Sequence, residues 1–184
     1  YYLYQSDVTI DLKTDEYTYR HSNAEPWKVT LAETGIDTMT GGRIKRIREY
    51  IGEETFLLTY GDGVSDVDIA DTVRFHKSHG KLLTMTTVNV ASRFGVIRPD
   101  ERGRVRSFRE KSESDGSLVN AGYMVCEPGV FEYIDGDETV FEREPLEALA
   151  KDGQLMAYRH YGFWSCMDTL RDKEYLEGLW RTGR

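Results

Sequence analysis

The chain has 184 residues, of which 39% are hydrophobic and 30% are charged, a composition that predicts one globular domain over 1–184 with a real core rather than a disordered tail. A net charge of -8 argues against non-specific binding to nucleic acid or to an anionic membrane, because the field of the whole molecule repels phosphate polymers. An anionic small substrate would therefore need a local cluster of positive groups or a metal ion.

The two cysteines predict a reducing, cytoplasmic setting. Cys126 and Cys166 lie in hydrophobic or aromatic stretches and lack the paired spacing of a zinc site or a disulfide framework. No segment is apolar over the length needed to span a bilayer, and no signal peptide opens the sequence. Residues 1–4 begin inside an aromatic run without a cap, which indicates a piece of a longer protein.

The first 33 residues favour short strands. Residues 8–10 are β-branched and residues 27–31 alternate, and both patterns are typical of strands. Between them, residues 14–16 and 20–23 are polar and turn-like. We therefore expect a loop-rich stretch with two strands.

A helix is predicted over 43–51, where Ile44, Ile47 and Ile51 share one face and basic residues occupy the other. The loop before it, 34–42, ends in two glycines. Its free backbone N–H groups and the positive end of the helix dipole would suit a phosphate. The alternative is an ordinary capped surface helix.

The stretch 55–63 is an apolar run that stops at a carboxylate between two glycines. A run without polar alternation predicts a strand buried on both faces, as in parallel sheets. Ligands of open α/β sheets bind beyond the carboxyl ends of the strands. Asp62 falls at such an end, on a backbone that Gly61 and Gly63 leave free to approach a ligand. The alternative is a turn aspartate.

A strand-helix-strand unit over 56–88 places the chain in the α/β class. Its helix follows Asp66 and Asp68 and ends at Gly80. Two such acids would suit the metal site of a glycosyltransferase, but helix capping and the helix dipole explain them without a metal.

The rest of the chain continues the alternation of strands and helices. The prediction comprises a hairpin of residues 94–98 and 105–109 that adds antiparallel strands to the sheet, a strand over 120–126, a helical turn over 131–134, a helix over 144–150 with a proline in its first turn, and a strand over 154–160. Glu110 and Lys111 follow the hairpin, where an acid beside a base is either a site or a solvated pair.

Asp168 is a second carboxylate at an element boundary. Thr169 and Asp172 have the spacing of a capping box, and the helix that they start is predicted to bury Leu176, Leu179 and Trp180. The residues before Asp168 are apolar and aromatic, and a carboxylate in such a setting is costly unless it is paired or bound to a metal.

These residues together resemble the sugar nucleotidyltransferase family, and within it the cytidylyltransferases that act on glucose 1-phosphate. The motifs that carry the resemblance are TGGR (40–43), TYGDGVSDVD (59–68), RFG (93–95), REK (109–111), NAGYMV (120–125) and FWSCMDTLRDKEYLEGLW (163–180). The resemblance implies a Rossmann-like mixed, mostly parallel sheet flanked by helices. It also implies the formation of CDP-glucose and pyrophosphate from CTP and α-D-glucose 1-phosphate, as the entry to dideoxy sugars of bacterial O antigens. Members of the family form homo-oligomers, so the resemblance implies a homo-oligomer here too.

The resemblance also implies roles for particular residues. Asp62 and Asp168 would bind Mg²⁺, and Lys111 would complete the catalytic set by holding the sugar phosphate. The implied nucleotide-binding residues are Thr38, Arg43 and Gly61, and the implied sugar-binding residues are Glu110, Lys111, Asn120 and Gly95.

The sequence departs from the family pattern in two places. The glycine-rich LAGGxGTRL loop and the KP lysine of the family do not occur in these residues, which predicts that this piece alone is inactive. Ser112 stands where the wider family has proline. A non-catalytic nucleotide- or sugar-binding domain, and a glycosyltransferase that uses Asp66 and Asp68, are the alternative functions.

Overall fold

The computed structural model describes residues 7–20, 27–90, 96–99, 105–109 and 117–183, with the backbone alone at Tyr19, in 96–99 and 105–109, and at Ser117. The chain divides into two compact units, Tyr1–Glu33 and Thr34–Arg184. The prediction of a single domain over 1–184 stays a prediction.

The first unit contains a β-hairpin. Strands β1 (Asp7–Asp11) and β2 (Glu16–Arg20) pair in antiparallel register, with Ile10 opposite Tyr17. Asp11 closes the turn, since its carboxylate accepts the backbone N–H groups of Lys13 and Thr14. The strand predicted at 8–10 is confirmed.

Two predictions for this unit are wrong. Residues 16–20 were expected in a loop but form β2, because alternating tyrosine and threonine residues suit a pleated strand. Residues 27–31 were expected as a strand but have no regular structure. Trp27 is 74% exposed and Leu31 is 93% exposed, so these side chains bury too little apolar surface to stabilise a strand here.

The second unit contains five helices, one 3₁₀ helix and eight strands among the described residues. In chain order they are α1 (Thr40–Arg46), α2 (Arg48–Ile51), β3 (Phe56–Thr59), β4 (Gly63–Ser65), α3 (Ile69–His79), β5 (Leu83–Val90), β6 (Val96–Pro99), β7 (Val105–Arg109), β8 (Ser117–Cys126), a 3₁₀ helix (Pro128–Tyr133), α4 (Glu144–Lys151), β9 (Leu155–His160), β10 (Trp164–Cys166) and α5 (Leu170–Thr182).

The main sheet is mixed and has four strands in the order β3-β8-β5-β9. Strand β8 runs antiparallel to β3 and β5, and β9 runs parallel to β5. Three of the four strands therefore point in one direction, as the predicted mixed, mostly parallel α/β sheet requires. Helix α3 lies on the connection between the parallel strands β3 and β5, which confirms the predicted strand-helix-strand unit.

Strand β3 is an edge strand among the described strands, and it is not buried on both faces as predicted. Phe56 and Leu58 pack against the core, whereas Leu57 on the other face is 56% exposed. The apolar run is continuous because one face serves the core and the other carries a further leucine. An unbroken run does not by itself specify how many faces are covered.

The core lies between this sheet and the helices that follow β8. Phe131 and Phe141 are fully buried with Leu83, Met124 and Leu149, and Ile44 of α1 joins them. Each fully buried large side chain contributes about 2–3 kcal/mol relative to an exposed one. The predicted inward face of the first helix is therefore confirmed at Ile44.

Helix ends follow local sequence chemistry. Asp68 caps α3 by accepting the backbone N–H of Asp71, and Gly80 ends it in a left-handed conformation at φ 64°. Thr169 and Asp172 form the predicted capping box of α5. Trp180 is 87% exposed, so its predicted burial is wrong. In a thirteen-residue helix with no fully buried residue, tryptophan at this position lies on the outer side.

Two further antiparallel pairs lie outside the main sheet. Strands β6 and β7 form the predicted hairpin, but as a two-stranded sheet of their own rather than as an addition to the main sheet. Strands β4 and β10 form a second two-stranded sheet. Among the helices described, none combines the length and the apolar character that crossing a membrane demands.

Candidate active site

The pairing of β4 with β10 brings Asp62 and Asp168 to the same place. Gly63 lies opposite Cys166 in the register, and the backbone N–H of Met167 donates to the carbonyl of Asp62 at 2.9 Å. Asp168 is the next residue after that hydrogen bond. Two carboxylates more than a hundred positions apart in sequence are thus held on adjoining backbone segments.

Strand β8 is hydrogen-bonded to both strands of the β4–β10 pair. The Tyr123 hydroxyl donates to the carbonyl of Gly63 at 2.7 Å, and the indole N–H of Trp164 donates to the carbonyl of Ala121 at 2.9 Å. Gly122 has φ 81°, and a Cβ atom there would lie 3.0 Å from the Tyr60 ring. Glycine is therefore required where β8 passes the residues that precede Asp62.

Both carboxylates are exposed, which corrects the expectation of an apolar setting for Asp168. The carboxylate of Asp62 accepts no hydrogen bond from the described part of the chain. Asp168 Oδ2 accepts the S–H of Cys166 at 3.1 Å. Burial, together with the hydrogen bond to Asp168, raises the pKa of the Cys166 thiol, so the thiol stays protonated and continues to donate.

The donor set fits Mg²⁺. Within the ranges that the structure describes, no three His, Cys, Asp or Glu side chains converge as a complete protein cage. Mg²⁺ does not need such a cage, because it keeps several waters and is commonly bound through one or two carboxylates plus substrate phosphates. Asp62 and Asp168 would hold the ion with hard oxygen ligands, which among the described residues accept at most a hydrogen bond from a thiol.

The residues implied to bind nucleotide lie at and before α1 and at the end of β3. Thr38 is buried. The guanidinium of Arg43 is exposed and donates to Thr34 Oγ1 at 2.7 Å and to the carbonyl of Ile36 at 3.1 Å. At Gly61, a Cβ atom would meet nothing within 4 Å of the described structure, so a ligand has room to approach this backbone.

The predicted phosphate site at the start of the first helix is wrong in its detail. The helix begins at Thr40, so the glycines belong to it rather than to a loop. The N–H groups of Met39 and Gly41 donate to the carbonyls of Asp137 and Thr139 at 2.8 and 2.9 Å. These donors are occupied by a neighbouring loop because both glycines pack directly against it.

Glu142 links Thr40 of α1 to Tyr60, which precedes Gly61 and Asp62. The sequence analysis did not identify Glu142. Its two carboxylate oxygens accept the hydroxyls of Thr40 and Tyr60, each at 2.6 Å. Burial alone would raise the pKa of Glu142, but the hydrogen bonds from Thr40 and Tyr60 lower it below its usual value. Burial, with the hydrogen bond to Glu142, raises the pKa of Tyr60 above its usual range. Tyr60 therefore stays neutral and Glu142 charged near neutral pH.

Asn120 touches the same network. Its side-chain carbonyl accepts the N–H of Gly122 at 2.9 Å, and its amide lies 3.5 Å from the Tyr60 hydroxyl. The remaining residues implied to bind sugar or sugar phosphate, Gly95, Glu110 and Lys111, lie outside the described residues. The structure thus places Thr40, Glu142, Tyr60 and Asn120 in one chain of contacts that runs beside Gly61 and Asp62.

The two acids considered for a glycosyltransferase have other partners. Asp68 caps α3, as predicted. Asp66 Oδ1 lies 2.9 Å from His160 Nε2, whose side chain is 10% exposed. His160 also lines a cavity of about 520 Å³ at the ends of β5 and β9. The other residues that line it are Val88, Asn89, Val90, Tyr161, Gly162, Trp164, Ser165, Cys166 and Asp172.

Comparison with known protein families gives a match over nearly the whole chain. Residues 2–172 match the profile of the family described as nucleotidyl transferase. The chain is 51% identical to glucose-1-phosphate cytidylyltransferase of Salmonella typhi, over 100% of this chain and 72% of that protein. It is 42% identical to probable glucose-1-phosphate cytidylyltransferase of Bacillus subtilis, over 97% of this chain and 70% of that protein. The resemblance drawn from the sequence motifs is confirmed.

Solved structures show the same fold at low sequence identity. An apo UDP-glucose pyrophosphorylase superposes with a TM-score of 0.59 at 17% identity, over 82% of this chain and 63% of that chain. A putative glucose-1-phosphate thymidylyltransferase from Bacillus anthracis gives a TM-score of 0.58 at 18% identity, over 79% of this chain and 62% of that chain. The predicted fold class is confirmed.

Proposed function

The chain belongs to the nucleotidyl transferase family, and we propose that it forms part of a glucose-1-phosphate cytidylyltransferase. The reaction would join CTP and α-D-glucose 1-phosphate to give CDP-glucose and pyrophosphate. Support comes from three curated relatives of that name or probable name, which are 51%, 52% and 42% identical to this chain.

The observation that carries the proposal is the hydrogen-bonded pairing of β4 with β10. It holds the Asp62 and Asp168 backbones together through the Met167-to-Asp62 bond at 2.9 Å and leaves both carboxylates exposed. Mg²⁺, when bound there, would neutralise charge on the phosphate oxygens of the two substrates. Two acids in this position would hold the ion that offsets the repulsion between two anionic substrates.

The chemistry requires positioning more than proton transfer. An oxygen of the sugar phosphate attacks the α-phosphorus of CTP, and the bond from that phosphorus to the pyrophosphate oxygen breaks. The attacking oxygen is already ionised at neutral pH, so no general base is needed. The chain's task is to bring two negatively charged groups together in line and to offset their repulsion.

The remaining residues take roles on either side of the two acids. Arg43, Thr38 and Gly61 would contact the nucleotide, with the exposed Arg43 guanidinium offsetting phosphate charge. Lys111 would hold the phosphate of glucose 1-phosphate as a point charge. Glu110, Asn120 and Gly95 would contact the sugar.

We further place this reaction in the cytoplasm, at the entry to dideoxy sugars of the O antigen in bacterial lipopolysaccharide, and in a homo-oligomer. The two described cysteines are both free thiols, which suits a reducing compartment.

The test is pyrophosphate release by the full-length protein with Mg²⁺, CTP and glucose 1-phosphate. We expect turnover with this pair. Replacement of CTP by GTP or of glucose 1-phosphate by mannose 1-phosphate, each run as a parallel control, should reduce kcat/KM by at least tenfold. Tight binding of CTP without pyrophosphate release would instead support the non-catalytic binding domain.

A further inference from the structure

The side chains of Asp66 and His160 form a contact that the proposed reaction does not use. Asp66 Oδ1 lies 2.9 Å from His160 Nε2, and the same Nε2 lies 3.1 Å from the carbonyl of Phe163. A carbonyl only accepts hydrogen bonds, so the proton of His160 lies on Nε2 and is donated to Phe163, while the Asp66 carboxylate lies within ion-pair distance of the same nitrogen.

The carbonyl of Phe163 is the point at which three donors meet. Besides His160 Nε2, it accepts the hydroxyl of Ser65 at 2.8 Å and the backbone N–H of Asp66 at 3.2 Å. Ser65 is the last residue of β4, and Trp164, which follows Phe163, is the first residue of β10. The turn between β9 and β10 is thereby fixed to the end of β4.

The fit of this turn is close. A Cβ atom at Gly162 would overlap Asp66 Oδ1 and would lie 2.7 Å from His160 Cε1. Only glycine lets the chain pass between the two side chains without moving one of them. The His160 side chain is 10% exposed and the Asp66 side chain is 62% exposed, so the contact lies at the surface with its imidazole side held in the structure.

The turn sets the register on which the two acids depend. Trp164 pairs with Ser65 at one end of the β4–β10 ladder, and Gly63 pairs with Cys166 at the other end. A ladder of three residue pairs has little stability of its own. What anchors its first pair therefore governs the position of its last, beyond which Asp62 and Asp168 lie.

We propose that Asp66 and His160 are positioning residues, which lock the β9–β10 turn onto β4 and thereby set the spacing of Asp62 and Asp168 for the metal ion. The inference rests on the proposed function for the identity of the metal site. It assigns the Asp66 carboxylate to the contact with His160, in place of the metal-ligand role that the carboxylate suggests.

The experiment compares Asp66→Ala, Asp66→Asn and His160→Gln in the full-length protein, with Asp68→Asn as the matched acidic control outside the turn. Mn²⁺ affinity is measured by electron paramagnetic resonance in the presence of CTP. The Mg²⁺ concentration for half-maximal pyrophosphate release and the melting temperature are recorded in parallel.

We expect Asp66→Ala to weaken Mn²⁺ binding and raise the Mg²⁺ requirement by about tenfold, the lower range for loss of a partner that orients metal ligands. Asp66→Asn keeps an acceptor oxygen, and His160→Gln keeps a donor near the position of Nε2, so both should stay within about threefold of wild type. Asp68→Asn should match wild type because asparagine caps a helix as well as aspartate does.

The proposal is overturned if Asp66→Ala binds Mn²⁺ as wild type does, or if it loses only melting temperature while the metal requirement stays the same. It is also overturned if Asp66→Asn is as weak as Asp66→Ala, because the charge of Asp66 would then be what matters. Mn²⁺ affinity is read without turnover. A wild-type protein that binds Mn²⁺ but releases no pyrophosphate would defeat the proposed function and leave the positioning role to be judged by the binding data.

Discussion

The structure uses carboxylates in two opposite ways within a short distance. Glu142 gives both of its oxygens to hydroxyl groups, those of Thr40 and Tyr60, at 2.6 Å each. Asp62 and Asp168 are held through their backbones instead, and their exposed side chains make at most a contact with a thiol among the described residues.

The difference separates an acid that stabilises the fold from two acids that, under the proposed function, bind a ligand. A carboxylate that accepts two short hydrogen bonds is satisfied by the protein and contributes to stability. Under the proposed function, a carboxylate that is fixed by its backbone and has oxygens left over binds the metal ion. Substitutions at the two sites should therefore separate stability from catalysis.

The largest expected effect is on catalysis at Asp62. In the full-length protein, Asp62→Asn should lower kcat by roughly 10²-fold or more, as for the loss of a key electrostatic group in the transition state. Its melting temperature should change little, because its carboxylate holds no hydrogen bond within the described residues. Steady-state kinetics and thermal melting are the measurements. Turnover close to wild type would remove Asp62 from the site.

The opposite pattern is expected at Glu142. Glu142→Ala leaves the hydroxyls of Thr40 and Tyr60 without their acceptor and should lower the free energy of unfolding by about 1–2 kcal/mol, the cost of losing hydrogen bonds to a partly exposed charged group. Urea unfolding measures the change. Wild-type stability in this variant, or a loss of kcat as large as that of Asp62→Asn, would break the distinction between the two kinds of carboxylate.

Metal binding should stabilise the protein only where the carboxylates of Asp62 and Asp168 are both intact. At a Mg²⁺ concentration ten times its dissociation constant, the wild-type protein should gain about 1.4 kcal/mol of stability. Asp168→Asn should gain much less, while Glu142→Gln should gain as much as wild type. Thermal melting with and without Mg²⁺ provides the comparison. Equal gains in all three proteins would mean that the ion binds elsewhere.

The smallest effect is the pH dependence of the Glu142 contribution. The pKa of Glu142 is lowered in the folded state from the ordinary value of 4.5, so the folded state binds fewer protons there than the unfolded state does. Its contribution is present above pH 4.5 and is lost as the pH falls through the lower, folded-state value. The difference in unfolding free energy between wild type and Glu142→Gln should therefore be smaller at pH 3 than at pH 7. A difference that does not change with pH would contradict the lowered pKa.

Local signals in the sequence predicted much of this arrangement. The Thr169 and Asp172 capping box and the Gly80 helix end depend on neighbours within a few residues, and both were predicted correctly. The position of Asp62 just beyond strand β3 was predicted because glycines flank it at the end of an apolar run. The pairing of Asp62 with Asp168 was implied only by the family resemblance, since no local pattern encodes the β4–β10 register.

Other features depend on long-range packing and could not be predicted in this way. Glu142 lies 82 positions from Tyr60 and 102 positions from Thr40, so no sequence spacing indicates their contact. The exposed outer face of β3 was missed because an apolar run does not show whether a neighbour covers it. Asp66 was considered as a metal ligand, and its contact with His160 becomes visible only when the β9–β10 turn is in place.

The most direct test of the account is the anomalous scattering of Mn²⁺ in crystals of the full-length protein grown with CTP. We expect one ion bound between the carboxylates of Asp62 and Asp168. An ion bound at Asp66 instead, or carboxylates of Asp62 and Asp168 too far apart to share one ion, would contradict it.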